Sequence, residues 1–234
     1  MTGWTVKRFW TMAIALPAEG GWTVHLDGRP LKTPAKAPLI LPTQALAEAL
    51  AAEWQAQTGK INPATMPLTR MANSAIDKVA PQFAAVAAML AEYGGTDLLC
   101  YRAASPAALV ARQAAGWDPL LAWAAAEGAP LAVTTGVIPV PQAPASLATL
   151  HARVQALTPF GLAALHDLVA ISGSLILGLA AASGRLTPAE AFALSRIDED
   201  FQAEIWGHDA EAVESAALKR AALLDAGRFY ALLA

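Results

Sequence analysis

The stretch Ile61 to Pro67 reads INPATMP, and a helix cannot easily pass through it. Pro63 and Pro67 each remove a backbone donor and push the preceding residue away from helical geometry. This break divides the 234-residue chain into two parts with different periodicity. Before it the pattern is that of strands and one helix; after it nearly everything reads helical.

In the first part, Gly21 to Lys32 (GWTVHLDGRPLK) alternates and contains Asp27-Gly28, the dipeptide that supplies the positive φ of a tight hairpin turn. Alternation puts Val24 and Leu26 on one face and Thr23, His25 and Asp27 on the other. Thr11 to Leu16 reads as a preceding strand and Pro38 to Leu41 as a later one. Thr43 then reads as the N-cap of a helix with a Leu46, Leu50, Trp54 stripe, closed by Gly59. From Leu68 the expected helices are 69–80, 82–93, 106–127, 145–157, 160–170, 172–183, 187–206 and 209–233. Thr187-Pro188-Ala189-Glu190 carries a full start signal: a cap, proline at the first helical position, and Glu three residues after the cap. Trp117-Asp118-Pro119 reads as a break and restart, and GVIPVPQAPAS (136–146) as an extended connection. The expectation is an α+β chain: a β-rich N-terminal domain over 1–62 with one helix near its end, followed by a helical domain over 63–234.

Composition narrows the function classes. Hydrophobic residues make up 56% and charged residues 15%, which excludes a disordered chain, and the alanine excess favours helix over sheet. The net charge of -3 provides no basic footprint for nucleic acid or an anionic membrane. The single cysteine, Cys100, rules out an intrachain disulfide and fits a reducing compartment. The start, MTGWTVKRFW, has no apolar secretory core. The greasy run Leu168 to Ala182 is shorter than the ~20 residues of a membrane span and reads as a buried core helix.

Catalytic and metal motifs are weak. The four histidines are scattered, and Gly207 separates Glu204 from His208 at the end of a helix, so no metal site is expected. Ser172-Gly173-Ser174 is not a nucleophile elbow; small residues in a greasy helix permit close packing. Cys100 has Arg102 nearby but reads as a structural cysteine. Tyr93 to Leu99 (YGGTDLL) lacks a phosphate-loop lysine and reads as a helix end at Gly94 and a cap at Thr96. No cofactor and no catalytic residue are expected.

The acidic segment Ser195 to Glu211 (SRIDEDFQAEIWGHDAE) is the most distinctive. At ~100° per residue, Leu194, Ile197, Phe201 and Ile205 form the core stripe, with Asp198 beside it. Phe192, Ser195, Glu199, Gln202 and Trp206 form a second stripe, aromatic with a carboxylate at its middle. Asp200 and Glu204 read as solvated. Two apolar stripes have two meanings. One is a sandwiched helix with Glu199 buried and paired; the other is a face offered to a partner, with Trp206 as anchor and Glu199 setting specificity.

The order of motifs resembles the family of ATP synthase assembly chaperones that bind the free alpha subunit of the soluble catalytic head. The matching stretches are KRFW (7–10), LDGRPLKTPAK (26–36), LPT and EW (41–54), MPLTRMANSAID (66–77), TDLLCYRA (96–103), WDPLLAW (117–123), SGSLILGLA and RIDEDFQAEIWGHDAEA. The resemblance implies a small β-containing domain before a helical one. It implies no catalysis, no small-molecule substrate and no membrane insertion. It also implies a client, the alpha subunit, whose apolar assembly faces need cover until the proper neighbour arrives. An acidic residue of the late helix matters in the family; Glu199 is the nearest match and Asp198 the alternative. A start almost directly at KRFW implies a bacterial cytoplasmic protein, or a processed form from the mitochondrial matrix.

Overall fold

The computed structural model describes residues 7–234; residues 1–6 of the expected N-terminal domain lie outside the described residues. The fold is α+β, with a small antiparallel sheet ahead of a helical remainder. Two compact units divide the chain. The first holds residues up to Phe83 together with Thr158–Ala164 and Arg228–Ala234; the second holds Ala84–Leu157 and Leu165–Gly227. Residues 63–83, expected with the helical domain, thus cluster with the sheet.

In the first unit, β1 (Ala13–Ala18), β2 (Gly21–Leu26) and β3 (Arg29–Pro30) make the sheet in sequence order. Ala13 pairs with Leu26 and Ala18 with Gly21. Asp27 and Gly28 both adopt positive φ, at 46° and 82°, as the hairpin requires. The Asp27 carboxylate accepts the N–H groups of Thr11 and Met12, both at 2.9 Å, and these bonds lower its pKa. Val24 and Leu26 are buried as the alternation requires. Pro38 to Leu41 forms no continuous strand, because it pairs only through isolated bridges, Pro38 with Lys32 and Leu41 with Trp22, the latter through bonds of 2.9 and 2.7 Å. That pairing explains Gly21, whose Cβ would lie 2.3 Å from the Leu41 carbonyl oxygen.

Helix α1 (Gln44–Gln55) starts on the Thr43 cap but ends before Gly59. Arg8 is the reason it stops cleanly. Its guanidinium donates to the carbonyls of Gln55 and Gln57, at 3.0 and 2.7 Å, satisfying acceptors that a helix C-terminus leaves open. The next helix, α2 (Pro67–Ser74), has no cap of its own. Glu53 of α1 supplies one, accepting from the N–H groups of Leu68 and Thr69 and from the Thr69 hydroxyl at 2.7–2.8 Å. A π-helical turn, Ala75–Val79, continues from it. Trp10, Leu26, Trp54, Ile61 and Met66 form the core between these pieces, with the Trp10 and Trp54 rings edge to face at 5.3 Å.

The second unit is built from α3 (Phe83–Glu92), α4 (Ala107–Ala126), α5 (Pro144–Gln155), α6 (Pro159–Ser172), α7 (Leu175–Ala182), α8 (Pro188–Ser195), α9 (Ile197–Trp206) and α10 (Ala210–Ala231). The first turns of α6 and the end of α10 cluster with the other unit. Two residue pairs, β4 (Tyr101–Arg102) and β5 (Thr134–Thr135), run parallel. Helix α4 passes through Pro119 without a break, contrary to the sequence reading, because one missing donor does not end a helix held by its neighbours. The capping box at Thr187 and Glu190 forms in full.

The greasy run Leu168 to Ala182 is two buried helices, not one. Gly173, at φ 72°, and Ser174, which caps α7, turn the corner between them. Close packing belongs to Gly178 rather than to the serines: a Cβ there would meet Val169 at 2.6 Å. Asp97, fully buried, ties this corner down. Its carboxylate accepts from Leu99 N–H at 3.0 Å, the Ser174 hydroxyl at 2.7 Å and Ile176 N–H at 3.0 Å. Asp97, not Thr96, is therefore the capping residue. Burial outweighs these bonds and pushes its pKa up to about 6.

Between its ordinary value of 3.8 and about 6, the folded chain keeps a proton on Asp97 that the unfolded chain has released. Stability therefore falls as pH rises through that window. Asp97→Asn has no proton to lose. Urea unfolding across the window is expected to show a wild-type decline, on the order of 3 kcal/mol, that this variant lacks.

Candidate functional site

The acidic segment is two helices, not one. Arg196, at φ −115° and ψ 13°, breaks the expected 187–206 helix into α8 and α9. Helix α4 holds this junction. The Trp117 indole, within the WDPLLAW motif, donates to the Leu194 carbonyl at 2.8 Å. Gln113, buried, donates to Asp198 at 2.6 Å and accepts from the Ala103 N–H at 2.8 Å. Arg112 grips Glu204 through two bonds of 2.7 and 2.8 Å and lies over the Phe201 ring at 5.2 Å. The same pairing lowers the Glu204 pKa and raises that of Arg112. Gly116 lets α4 approach; a Cβ there would meet Ile197 and Leu194 at 2.9 Å.

The acids therefore separate. Asp198 lies beside the core, as expected, and is bound to Gln113. Glu204 is not simply solvated, since it faces Arg112. Asp200 pairs with Arg196 at 3.3 Å. Glu199 is left with Arg196 at 3.9 Å and remains exposed. The sandwiched reading of Glu199 is thus excluded within this unit.

The second stripe is not continuous. Phe192 and Ser195 precede the break and are buried, so Phe192 packs mainly into the core. Gln202 and Trp206 follow it and are exposed, Trp206 at 78%. Ile205, expected in the core, is 57% exposed. Gly207, at φ 89°, ends the helix there.

Two hollows flank Glu199. One, of about 620 Å³, lies between α9 and α10 and is bordered by Gln202, Trp206 and Val213. The other, of about 340 Å³, is bordered by Trp117, Phe192 and Ser195. Arg196, Glu199 and Lys219 line both. A carboxylate between hollows, with an exposed indole two turns away, suits polar recognition with an aromatic anchor.

Cys100 and His208, weighed for chemistry in the sequence, lie in different surroundings. Cys100 is buried with its thiol pushed up to about 12, chiefly by burial, then by the Asp97 carboxylate, against the opposing pull of Arg102. His208 is exposed beyond the helix end. Among the described residues, no three His, Cys, Asp or Glu side chains gather as metal ligands. Arg112, Gln113 and Lys219 were missed by sequence reasoning. Nothing in ARQAAG or ALKRAA distinguishes them from ordinary helix surface, and only Trp117 stood in a noted motif.

The family model described as "ATP12 chaperone protein" matches residues 7–125. The structure resembles that of Atp12 from Paracoccus denitrificans, with 61% identity over 99% of this chain and 100% of that one and a TM-score of 0.96. It resembles an aspartate-to-lysine mutant of that organism's Atp12p at 61% identity, over 97% and 98% of the two chains, with a TM-score of 0.95. A candidate chaperone from Agrobacterium tumefaciens is 44% identical over 96% of this chain and 84% of that one, with a TM-score of 0.90.

Removing the buried Gln113 amide leaves Asp198 and the Ala103 N–H unmatched. Gln113→Ala is expected to cost about 1–3 kcal/mol in urea unfolding. Gln113→Glu is expected to do the same or worse, by facing a second carboxylate toward Asp198.

Proposed function

The chain belongs to the ATP12 chaperone family, and from that premise we propose that it holds the unassembled alpha subunit of the ATP synthase catalytic head and keeps it from aggregating. The observation that carries the surface is the exposed α9 face with Glu199, Gln202 and Trp206, backed by Asp198 and bordered by two hollows. An alpha subunit outside its ring exposes apolar faces that invite aggregation. A holder must cover such a face yet yield to the true neighbour. A small polar patch with one aromatic anchor is suited to that balance, because few anchors carry most of an interface's free energy.

The protein acts here as a binding module without catalysis. The buried thiol of Cys100 is held protonated, and Glu204 is engaged by Arg112. The acids serve recognition and local structure instead.

Tagged protein mixed with isolated alpha subunit is expected to form a stable complex. Trp206→Ala and Glu199→Lys should each weaken it by about 2 kcal/mol or more, roughly thirtyfold, with unchanged unfolding midpoints since both side chains are exposed. Unchanged affinity in both variants removes this surface; no complex with the parent chain removes the client. Pull-down from native extract, with the captured protein identified by mass, separates the alpha subunit from any other partner.

A further inference from the structure

The four acids of α9 are held with unequal firmness. Gln113 donates to Asp198 at 2.6 Å, and Arg112 grips Glu204 through two bonds of 2.7 and 2.8 Å. Arg196 donates through Nε to Asp200 at 3.3 Å. Glu199 forms no such bond among the described residues; its nearest cation is the Arg196 Nη1, at 3.9 Å. At that separation opposite charges attract, but a hydrogen bond does not form. Among the described residues, Glu199 is thus the one acid of α9 held by attraction alone.

The cation beside it is fixed in place. Arg196 precedes Glu199 and Asp200 by three and four residues, a spacing that brings all three side chains to one face. Its guanidinium lies over the buried Phe192 ring at 5.9 Å, and its side chain is 21% exposed against 56% for Glu199. The ring contact and the Asp200 bond hold this charge beside Glu199 whether or not Glu199 has another partner. Arg196 and Glu199 also line both hollows, so a group entering either one meets the pair. Lys219 lines them too, but it is exposed and forms no ion pair among the described residues.

From these features, and resting on the alpha-subunit reading above, we infer that Arg196 competes with the client for Glu199 and limits the affinity of the complex. A client donor that bonds to Glu199 replaces an attraction acting across 3.9 Å. Arg196 keeps Phe192 and Asp200 when it yields, so nothing else at the α8–α9 junction has to open. Taking Asp198 or Glu204 instead breaks hydrogen bonds to Gln113 or Arg112, and such bonds are expensive to leave unmade. An exposed pair such as Arg196 and Glu199 is weak, so the restraint it sets is small, about twofold to fivefold in Kd. A restraint of that kind suits a holder that has to release its client to the proper neighbour.

The test measures the affinity of the full chain for isolated alpha subunit by biolayer interferometry at low and at high salt. Arg196→Gln removes the charge and keeps a polar side chain; Arg196→Met keeps the packing on Phe192 without charge. Both are expected to bind alpha about twofold to fivefold more tightly at low salt, with the gain shrinking at high salt as charges are screened. In a chain that already carries Glu199→Gln, the same substitutions are expected to give no gain, because no carboxylate is left to release. Lys219→Gln, which removes a cation that does not pair with Glu199, is expected to give less than half of it. Damage to the fold weakens a complex, so a tighter one reports on the competition itself. The inference is overturned if neither Arg196 variant tightens the complex, if the gain survives Glu199→Gln, or if Lys219→Gln matches it. A parent chain that binds no alpha subunit removes the client reading and this inference together; a parent complex that neither variant tightens removes this inference alone.

Discussion

A single fully buried carboxylate organises the helical unit. Asp97 lies at the end of a short turn, yet three donors from two separate stretches converge on it, one of them the cap of α7. Those donors sit at a helix N-terminus, where the backbone presents N–H groups with no internal partner. The carboxylate answers that need and pins the α6–α7 corner at Gly173. With this corner held, Gly178 can bring α7 against Val169. The cost is a buried acid whose proton is retained well above its ordinary range.

On the other side of the same unit, α4 decides what the acidic segment can present. Trp117 takes the Leu194 carbonyl of α8, Gln113 takes Asp198, and Arg112 takes Glu204. The acids of α9 are thus sorted by partner rather than by exposure: Asp198 is bound to Gln113, Asp200 to Arg196 and Glu204 to Arg112, while Glu199 has only the 3.9 Å approach of Arg196.

Several features could be read directly from residues. The Asp27-Gly28 turn, the Thr43 cap and the Thr187–Glu190 capping box are local, since each depends on a dihedral or a bond within four residues. Glu199 and Trp206 were also placed on one stripe, although whether that stripe was buried or offered outward stayed open. Other features could not be read this way. The roles of Arg8 and Glu53 were hidden because each caps a helix end distant in sequence. The α8–α9 break was hidden because Arg196 is an ordinary helix former, and only the Trp117 indole bonded to Leu194 marks the junction. Ile205 was assigned to the core on periodicity, but periodicity says which residues share a face, not whether other residues cover that face along its whole length.

The sequence by itself determined the α+β order, the break near INPATMP, the hairpin, most helices and the family. These follow from short-range sterics and hydrophobic period, and, for the family, from the order of motifs along the chain. Only the tertiary structure decided which acids are free, where the long acidic helix bends, and that residues 63–83 cluster with the sheet. These depend on which donor meets which acceptor across many residues of chain. That pairing is settled by burial, since inside a protein nearly every polar group finds a partner, and its partner need not be near in sequence.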